Sequence, residues 1–442
     1  MSKKNMRESD CCKTAAVENS DCRDPLFFLS SEEARVLALK YLSPLYVYDQ
    51  CSIESQAQKV LSMPAANGLT ARYAMKACPT KAVLQIFDKL GFHIDASSGY
   101  EVERALSAGI DAGRIQLTAQ ELPLNLSEMV QAGVLFNASS LRQLDVYGGL
   151  FPGSEVSLRV NPGLGSGHSQ KTNVGGPASS FGIWHEHIDQ ALELAKRHKL
   201  VINRLHSHIG SGADPSIWEQ CANMTLRIAE QLPDVKVLNL GGGFKVARVA
   251  GEQSADLNLI GERIAAQLRR FFESSGRKLD LEIEPGTFLM ANAGILLTTV
   301  IDVVDTGRDG FNFVKIDAGM TEILRPALYG AQHPLLIIPQ DENARRVRAD
   351  FVVVGHCCES GDLITSDPDD AEKPLARDFM TPMPGDIMLI GGCGAYCSAM
   401  AAVNYNSFPQ AAEVLVDNLR KFHLIRRREA LQQIIQNEIA FF

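Results

Sequence analysis

Lys76 closes the run Arg72-Tyr-Ala-Met-Lys76-Ala-Cys-Pro79, an apolar stretch that a proline stops. An amine at the mouth of a buried strand loses hydration, which disfavours its charged form and lowers its pKa. Such an amine can form a Schiff base with a carbonyl compound. A lysine solvated at the rim is the plainer alternative, and only other residues can decide between the two. Asp95 ends the next apolar run, and Arg159 with Asn161 ends another. His208 lies in His206-Ser-His208-Ile-Gly-Ser-Gly212, and Glu284 in Glu282-Ile-Glu284-Pro285-Gly286-Thr287. Singly, Asp95 reads as a helix cap and His208 as a satisfied core histidine. With the run Asn239-Leu-Gly-Gly-Gly-Phe244 these make six strand ends, and six aligned at one rim point to a shared site.

Gly241, Gly242 and Gly243 let the backbone approach an anion, with their N–H groups expected near a helix start. Ser211 adds a hydroxyl between two glycines. Neither Gly-x-Gly-x-x-Gly nor Gly-Lys-Ser/Thr occurs in that setting, which disfavours a dinucleotide or P-loop site. A phosphate cradle, a lysine amine, a flat histidine and a buried carboxylate together fit pyridoxal 5'-phosphate. Glu284 would pair with the protonated pyridine nitrogen and strengthen the ring as an electron sink.

Positioning these residues takes a repeating scaffold. Short β-type runs fall at 72–76, 92–96, 114–118, 134–138, 156–160, 202–208, 236–240 and 279–285, with segments of helical spacing between them. About eight alternating units predict an α/β fold, a TIM (β/α)8 barrel with its site at the carboxyl ends of the strands. A doubly wound sheet rarely runs to so many units. After about residue 295 short strands lie between turn residues, predicting a mostly antiparallel β domain. The expected organisation is a disordered leader over 1–24, a segment 25–49 joining the C-terminal domain, the barrel over 50–295 and the β domain over 296–442.

The formal charge of -9 and the lack of a basic stripe argue against a nucleic-acid partner. The most apolar window, 293–304, contains Thr298, Thr299 and Asp302 and is too short to span a bilayer. No secretory signal is visible, so a cytoplasmic protein with no membrane partner is expected. Of the 10 cysteines, Cys11, Cys12 and Cys22 fall in the leader, and no disulfide framework is expected. His356, Cys357, Cys358, Cys393 and Cys397 lack the paired spacing of structural zinc, and no metal is expected.

Tyr-Ala-Met-Lys76, Arg159-Val-Asn-Pro-Gly163, His-Ser-His208-Ile-Gly-Ser, Gly-Gly-Gly243, Glu284-Pro-Gly and Arg325-Pro-Ala-Leu-Tyr329-Gly follow one another in the order of a known family. Cys358-Glu-Ser-Gly-Asp362, Gly394-Ala-Tyr396 and Asn404-Tyr-Asn-Ser407 continue it. The chain resembles the fold-type III pyridoxal-phosphate-dependent decarboxylases, with an alanine-racemase-like barrel, from about residue 42 to the carboxyl end. It is most similar to their bacterial diaminopimelate decarboxylase branch. The resemblance implies Lys76 as the cofactor-bearing lysine, His208 stacked on the ring and Glu284 on the pyridine nitrogen. Asp95, Ser211, Gly241, Gly242, Gly243, Pro285, Gly286, Thr287 and Tyr396 would complete the cofactor site.

The same resemblance implies a homodimer with composite sites, Cys358 protonating the decarboxylated carbon and Glu359 binding a distal ammonium. Arg325, Tyr329 and Tyr396 would meet the rest of the amino-acid substrate. Conversion of meso-diaminopimelate to L-lysine and CO2 is the implied reaction. Three departures stand out: Thr287 where the family has arginine, Phe408 where arginine is common, and Cys397 in place of glycine. Thr287 keeps open a decarboxylase of another diamino acid or of an acylated amino acid. A racemase would not need the Cys-Glu-Ser segment, and an inactive binding regulator should have lost Lys76 or Cys358.

Overall fold

The computed structural model describes residues 27–164 and 175–442. The expected leader over 1–24, with Cys11, Cys12 and Cys22, lies outside the described residues.

The strand β1 (Leu45–Asp49) precedes the barrel. Barrel strands are β2 (Leu69–Ala74), β3 (His93–Ala96), β4 (Ile115–Leu117), β5 (Leu135–Ala138) and β6 (Glu155–Asn161). A two-residue β7 (Ile183–Trp184) pairs on β6, and β8 (Val201–Ser207), β9 (Val237–Asn239) and β10 (Asp280–Ile283) finish the circuit. Every barrel pairing is parallel, and pairing of β5 with β6 closes eight strands into a barrel. The helices between them bury one face, as their spacing predicts. In Lys81–Lys89, Val83, Leu84 and Phe87 are buried. Phe87 stacks on Tyr73 at 4.1 Å and meets the edge of Phe92 at 5.3 Å, fixing the helix beneath the turn that carries Lys76.

That turn corrects the expectation of a strand running into Lys76. β2 stops at Ala74, and Met75–Ala77 forms a short 3-10 helix. The Ala74 N–H already donates to the Pro285 carbonyl at 3.2 Å, beyond the end of β10, so no ladder continues. Tyr73 Oη donates to the Cys78 carbonyl at 3.0 Å and draws the chain inward.

The second sheet takes the order β15-β14-β12-β11-β1-β17-β18. Its strands are β11 (Gly294–Asp305), β12 (Asn312–Ile316), β13 (Leu335–Ile338), β14 (Arg348–Val354), β15 (Arg377–Met380), β16 (Ile387–Ile390), β17 (Ala412–Val416) and β18 (Phe422–Arg426). β16 joins β13 to β11. Among the described strands of this sheet only the β1–β17 and β12–β14 pairings are parallel. Leu45, Val47, Ile295, Leu297, Leu389, Val414 and Val416 share a second core under this sheet. Among the described residues no helix is long and apolar enough to cross a membrane.

Inside the barrel the side chains from alternating strand positions are polar rather than aliphatic. Glu282 is reached by Arg72 Nη2 at 3.0 Å and Arg204 Nη1 at 2.5 Å. Burial pushes its carboxyl up most strongly, but Arg72 and Arg204 together hold it below the usual range. Arg72 is 1% exposed, so Glu282→Ala strands a buried cation. The expected loss is about 3–5 kcal/mol of unfolding free energy, read from the urea midpoint. A loss below about 1 kcal/mol would show that the pair is not what keeps Arg72 buried.

Candidate active site

Lys76 projects from its turn into the barrel mouth, where its side chain is exposed. The Tyr396 N–H donates to the Ala77 carbonyl at 2.8 Å, which ties the loop Gly394-Ala-Tyr396 of the second domain to that turn. Tyr396 holds φ +57°, a left-handed conformation, to make the approach. Asp95 lies opposite Ala74 in the β2–β3 register, is buried, and leaves Oδ1 without a partner. Burial, then the charge of Glu284, pushes the Asp95 carboxyl well above its usual range, while Lys76 pulls it back. For Lys76 the sequence expectation has the wrong sign. Desolvation is the strongest influence and lowers its pKa, but Tyr396, Asp95 and Glu284 together outweigh it and Arg159, and the ammonium is favoured.

Glu284 follows β10 and is held by residues from other strands. Gln116 Nε2 donates to its Oε1 at 2.8 Å and Asn239 Nδ2 at 2.7 Å, while His206 Nε2 stands 3.4 Å from Oε2. Burial acts most strongly and upward, yet His206 and the hydrogen bond from Asn239 hold the carboxyl far below the usual range. Asn137 Nδ2 packs at 2.6 Å from His206 Nδ1 and donates to Thr118 at 3.1 Å, which orients the imidazole. Gln116 and Asn137 escaped the sequence reading, which also gave His206 and Asn239 no role. The available signal was a polar residue interrupting each short apolar strand on the barrel-facing side.

His208 lies just past β8, its Nδ1 buried without a partner. Burial first, then Arg159 and Lys76, disfavour its charged form, so the ring is neutral. Gly241 sits at φ +68°, and a Cβ there would lie 2.7 Å from His208 Nδ1. The glycine is what lets the chain pass against the ring. A Cβ on Gly242 would lie 2.1 Å from the Glu284 carbonyl oxygen, and one on Gly243 1.7 Å from that of Gly210. No helix begins at these glycines; the next starts at Leu257, which corrects the expected dipole contribution. Gly241 donates its N–H to Asn239 at 2.8 Å, whereas those of Gly242 and Gly243 make no hydrogen bond among the described residues. Gly212 donates to the Gly243 carbonyl at 2.9 Å, which brings Ser211 alongside. Pro285 and Gly286 pass close to the lysine turn, a Cβ on Gly286 lying 3.2 Å from that of Ala77, and Thr287 opens the short helix Thr287–Met290.

These groups fit pyridoxal phosphate on the structure's own terms. Asp95 Oδ1 and His208 Nδ1 are buried polar atoms with no protein partner, and two backbone N–H groups are unspent. Arg159 is buried over the Phe181 ring at 5.0 Å and forms no ion pair among the described residues. Donors for an anion, an amine for a carbonyl and an ionised carboxylate thus share one mouth.

Cys358 and Glu359 are exposed, and their hydrogen bonds run to their own domain. The Cys358 N–H donates to Asn406 Oδ1 at 2.9 Å, and Tyr405 Oη to Glu359 Oε2 at 3.3 Å. Asp362 anchors this loop by accepting from Cys357 N–H at 2.8 Å and Met320 N–H at 2.6 Å. Burial pushes the Cys357 thiol up to about 12, so it is inert beside exposed Cys358. Arg325 and Tyr329 lie on the helix Arg325–Tyr329, the guanidinium 6.0 Å from the ring. Phe408 stacks on His356 at 3.7 Å, a contact that an arginine would make differently. Among the described residues no group of three His, Cys, Asp or Glu could hold a metal ion.

Residues 51–291, more than half of the 442, match the family model described as pyridoxal-dependent decarboxylase, pyridoxal binding domain. The diaminopimelate decarboxylase of Streptomyces coelicolor is 37% identical over 413 residues, covering 91% of this chain and 90% of that protein. That of Escherichia coli K12 is 35% identical over 428 residues, covering 93% and 97%. A crystal structure of a diaminopimelate decarboxylase superposes with a TM-score of 0.86 at 34% identity, over 94% of this chain and 99% of that one. The Helicobacter pylori enzyme complexed with L-lysine superposes at 0.81 with 26% identity, over 91% and 98%.

Proposed function

Because the chain belongs to the family of pyridoxal-dependent decarboxylases, we propose that it converts meso-diaminopimelate to L-lysine and CO2 in the cytoplasm, as a step of lysine biosynthesis. Lys76 beside a Glu284 carboxylate held ionised by its neighbours is the observation that supports this reading most directly. Bound pyridoxal phosphate supplies the electron sink that takes up the pair of electrons left when CO2 departs. Lys76 anchors it covalently, and Glu284 keeps a negative charge where a protonated ring nitrogen is needed. Neutral His208 offers a flat face, and Ser211 with the N–H groups of Gly242 and Gly243 takes the phosphate. Asp95, Pro285, Gly286, Thr287 and Tyr396 line the same cofactor site, Tyr396 reaching it through its bond to Ala77. Arg325 and Tyr329 bind the carboxylate at the unreacted end of the substrate, and Glu359 its ammonium.

Cys358 returns a proton to the substrate carbon. Among the described residues no hydrogen bond joins the Cys358 loop to the lysine turn within one chain, which supports a homodimer whose sites each combine two copies. Equal amounts of Lys76→Ala and Cys358→Ala, each inactive, are then expected to regain roughly a quarter of wild-type activity on subunit exchange, because one of two sites in each mixed dimer is intact. Absence of recovery with exchange verified would place the whole site in one chain.

The reaction itself is tested by CO2 release and lysine formation from meso-diaminopimelate by cofactor-loaded enzyme. Thr287 favours one second reading, a decarboxylase of another diamino acid or an acylated amino acid whose distal group fills the space of the family arginine. Loaded enzyme that spares meso-diaminopimelate but releases CO2 from such a compound would replace the first reading with the second.

A further inference from the structure

Arg248 lies on the segment after Gly243 and is 6% exposed. Its Nε donates to the Gly392 carbonyl at 3.3 Å, and its Nη2 is buried without a partner. Gly392 holds φ +68°, and a Cβ there would lie 2.9 Å from Arg248 Cδ, so this glycine admits the arginine stem. Asn292 Nδ2 donates to the Ala247 carbonyl at 2.9 Å and ties the segment to the turns that follow Thr287. Arg325 is near enough for its charge to act on Arg248, and its own Nε is buried and unpartnered. His333 closes the group, with Nδ1 at 2.9 Å from the Gly391 carbonyl and Nε2 buried without a partner.

Neither guanidinium has an ion pair among the described residues. Two acidic groups lie near and both are engaged: Glu252 Oε2 accepts from the Arg248 backbone N–H at 2.8 Å with Oε1 3.5 Å from Lys245 Nζ, and the Cys397 thiol, which Cys393 and both guanidiniums pull down against burial, donates to the Ala395 carbonyl at 3.6 Å. Arg248 is buried and Arg325 half-buried; like charges this near repel, and an unpaired buried guanidinium is costly. A protein keeps such a pair where an anion joins it, and a guanidinium fork matches a carboxylate in two-point geometry.

We propose that Arg248 supplies the guanidinium that Thr287 lacks and, with Arg325, binds the carboxylate at the unreacted end of the substrate. The family's charge is thus delivered from a different segment of the chain. Arg248 enters from the loop after β9, its stem passing against Gly392. This rests on the reading above that the substrate carries a distal carboxylate. The cofactor phosphate presents the same anionic oxygen chemistry, and the test separates the two.

L-Lysine is a direct probe, since its one carboxylate is the distal carboxylate of diaminopimelate, and 1,5-diaminopentane is the same molecule without it. In holoenzyme, Arg248→Ala is expected to weaken L-lysine binding and raise KM for meso-diaminopimelate by roughly 10- to 100-fold. The affinities for 1,5-diaminopentane and for the cofactor stay within about threefold of wild type, as does kcat. Thr287→Arg added to Arg248→Ala restores at least about tenfold of the lost L-lysine affinity. Arg248→Lys, which keeps the charge but not the fork, falls between and serves if the alanine variant does not fold. Unchanged L-lysine affinity in these variants overturns the proposal, and so does a loss confined to cofactor affinity, which would assign Arg248 to the phosphate. Failure of wild-type enzyme to release CO2 from meso-diaminopimelate sinks the substrate reading instead, and the lysine and diaminopentane comparison still decides the carboxylate role.

Discussion

Lys76→Ala yields a folded protein that carries no visible absorbance from attached cofactor and releases CO2 slower by roughly 10³-fold or more. The lysine side chain opens on the barrel mouth, so its removal leaves no packing defect. Unfolding free energy should therefore stay within about 0.5 kcal/mol of wild type. The surroundings also set a pH dependence. Tyr396, Asp95 and Glu284 raise the Lys76 pKa against desolvation and Arg159. The ammonium then persists to higher pH than for a free lysine, and only the neutral amine attacks a carbonyl. Cofactor attachment to the cofactor-free apoprotein is thus expected to quicken steadily as pH rises through the alkaline range, with no plateau at neutral pH. Borohydride reduction followed by peptide mass analysis locates the linkage. A reduced adduct that survives in Lys76→Ala would exclude Lys76 as the anchor.

The barrel was legible because strands buried on both faces read as short apolar runs between helical segments, and all eight runs fall on observed strands. Their ends were less legible. Lys76 sits on a turn because the Ala74 N–H is captured by Pro285, a partner some two hundred residues away that no local pattern reveals. The expected helix start after Gly243 failed for a related reason. Glycine reports that a Cβ would collide, and here the colliding atoms belong to Gly210 and Glu284, not to a helix-bound anion. The sign of the Lys76 shift was missed because burial can be guessed from an apolar run, whereas the groups that outweigh it, Tyr396, Asp95 and Glu284, come from the second domain, from β3 and from beyond β10. The order of the second sheet was also hidden, since β1 pairs with β17 across most of the chain. Arg248 shows the same limit: its bond to the Gly392 carbonyl and the bond from Asn292 to Ala247 join segments far apart in the chain.

Glu284→Gln tests the electrostatic half of the site while nearly preserving its volume. Glu284 is a carboxylate at the cost of its burial, because Gln116 and Asn239 donate to Oε1 and His206 faces Oε2. An amide in that place presents the wrong atom to at least one of these donors and carries no charge for a protonated ring nitrogen. The cofactor should still attach through Lys76, but kcat is expected to fall by about 10²- to 10³-fold, in the range for removing one preorganised charge-stabilising group. The Glu284 carboxyl lies far below the usual range, so the acid limb of the wild-type pH profile does not come from its protonation. The glutamine variant therefore lowers the whole profile without moving that limb. Asn239→Ala supplies the opposite signature. Losing a donor to the charged form raises the Glu284 pKa, so activity falls at low pH first and recovers as pH rises past the raised value. A glutamine variant within about threefold of wild-type kcat would mean that the charge of Glu284 does not serve the reaction, and that its donors exist only to satisfy a buried side chain.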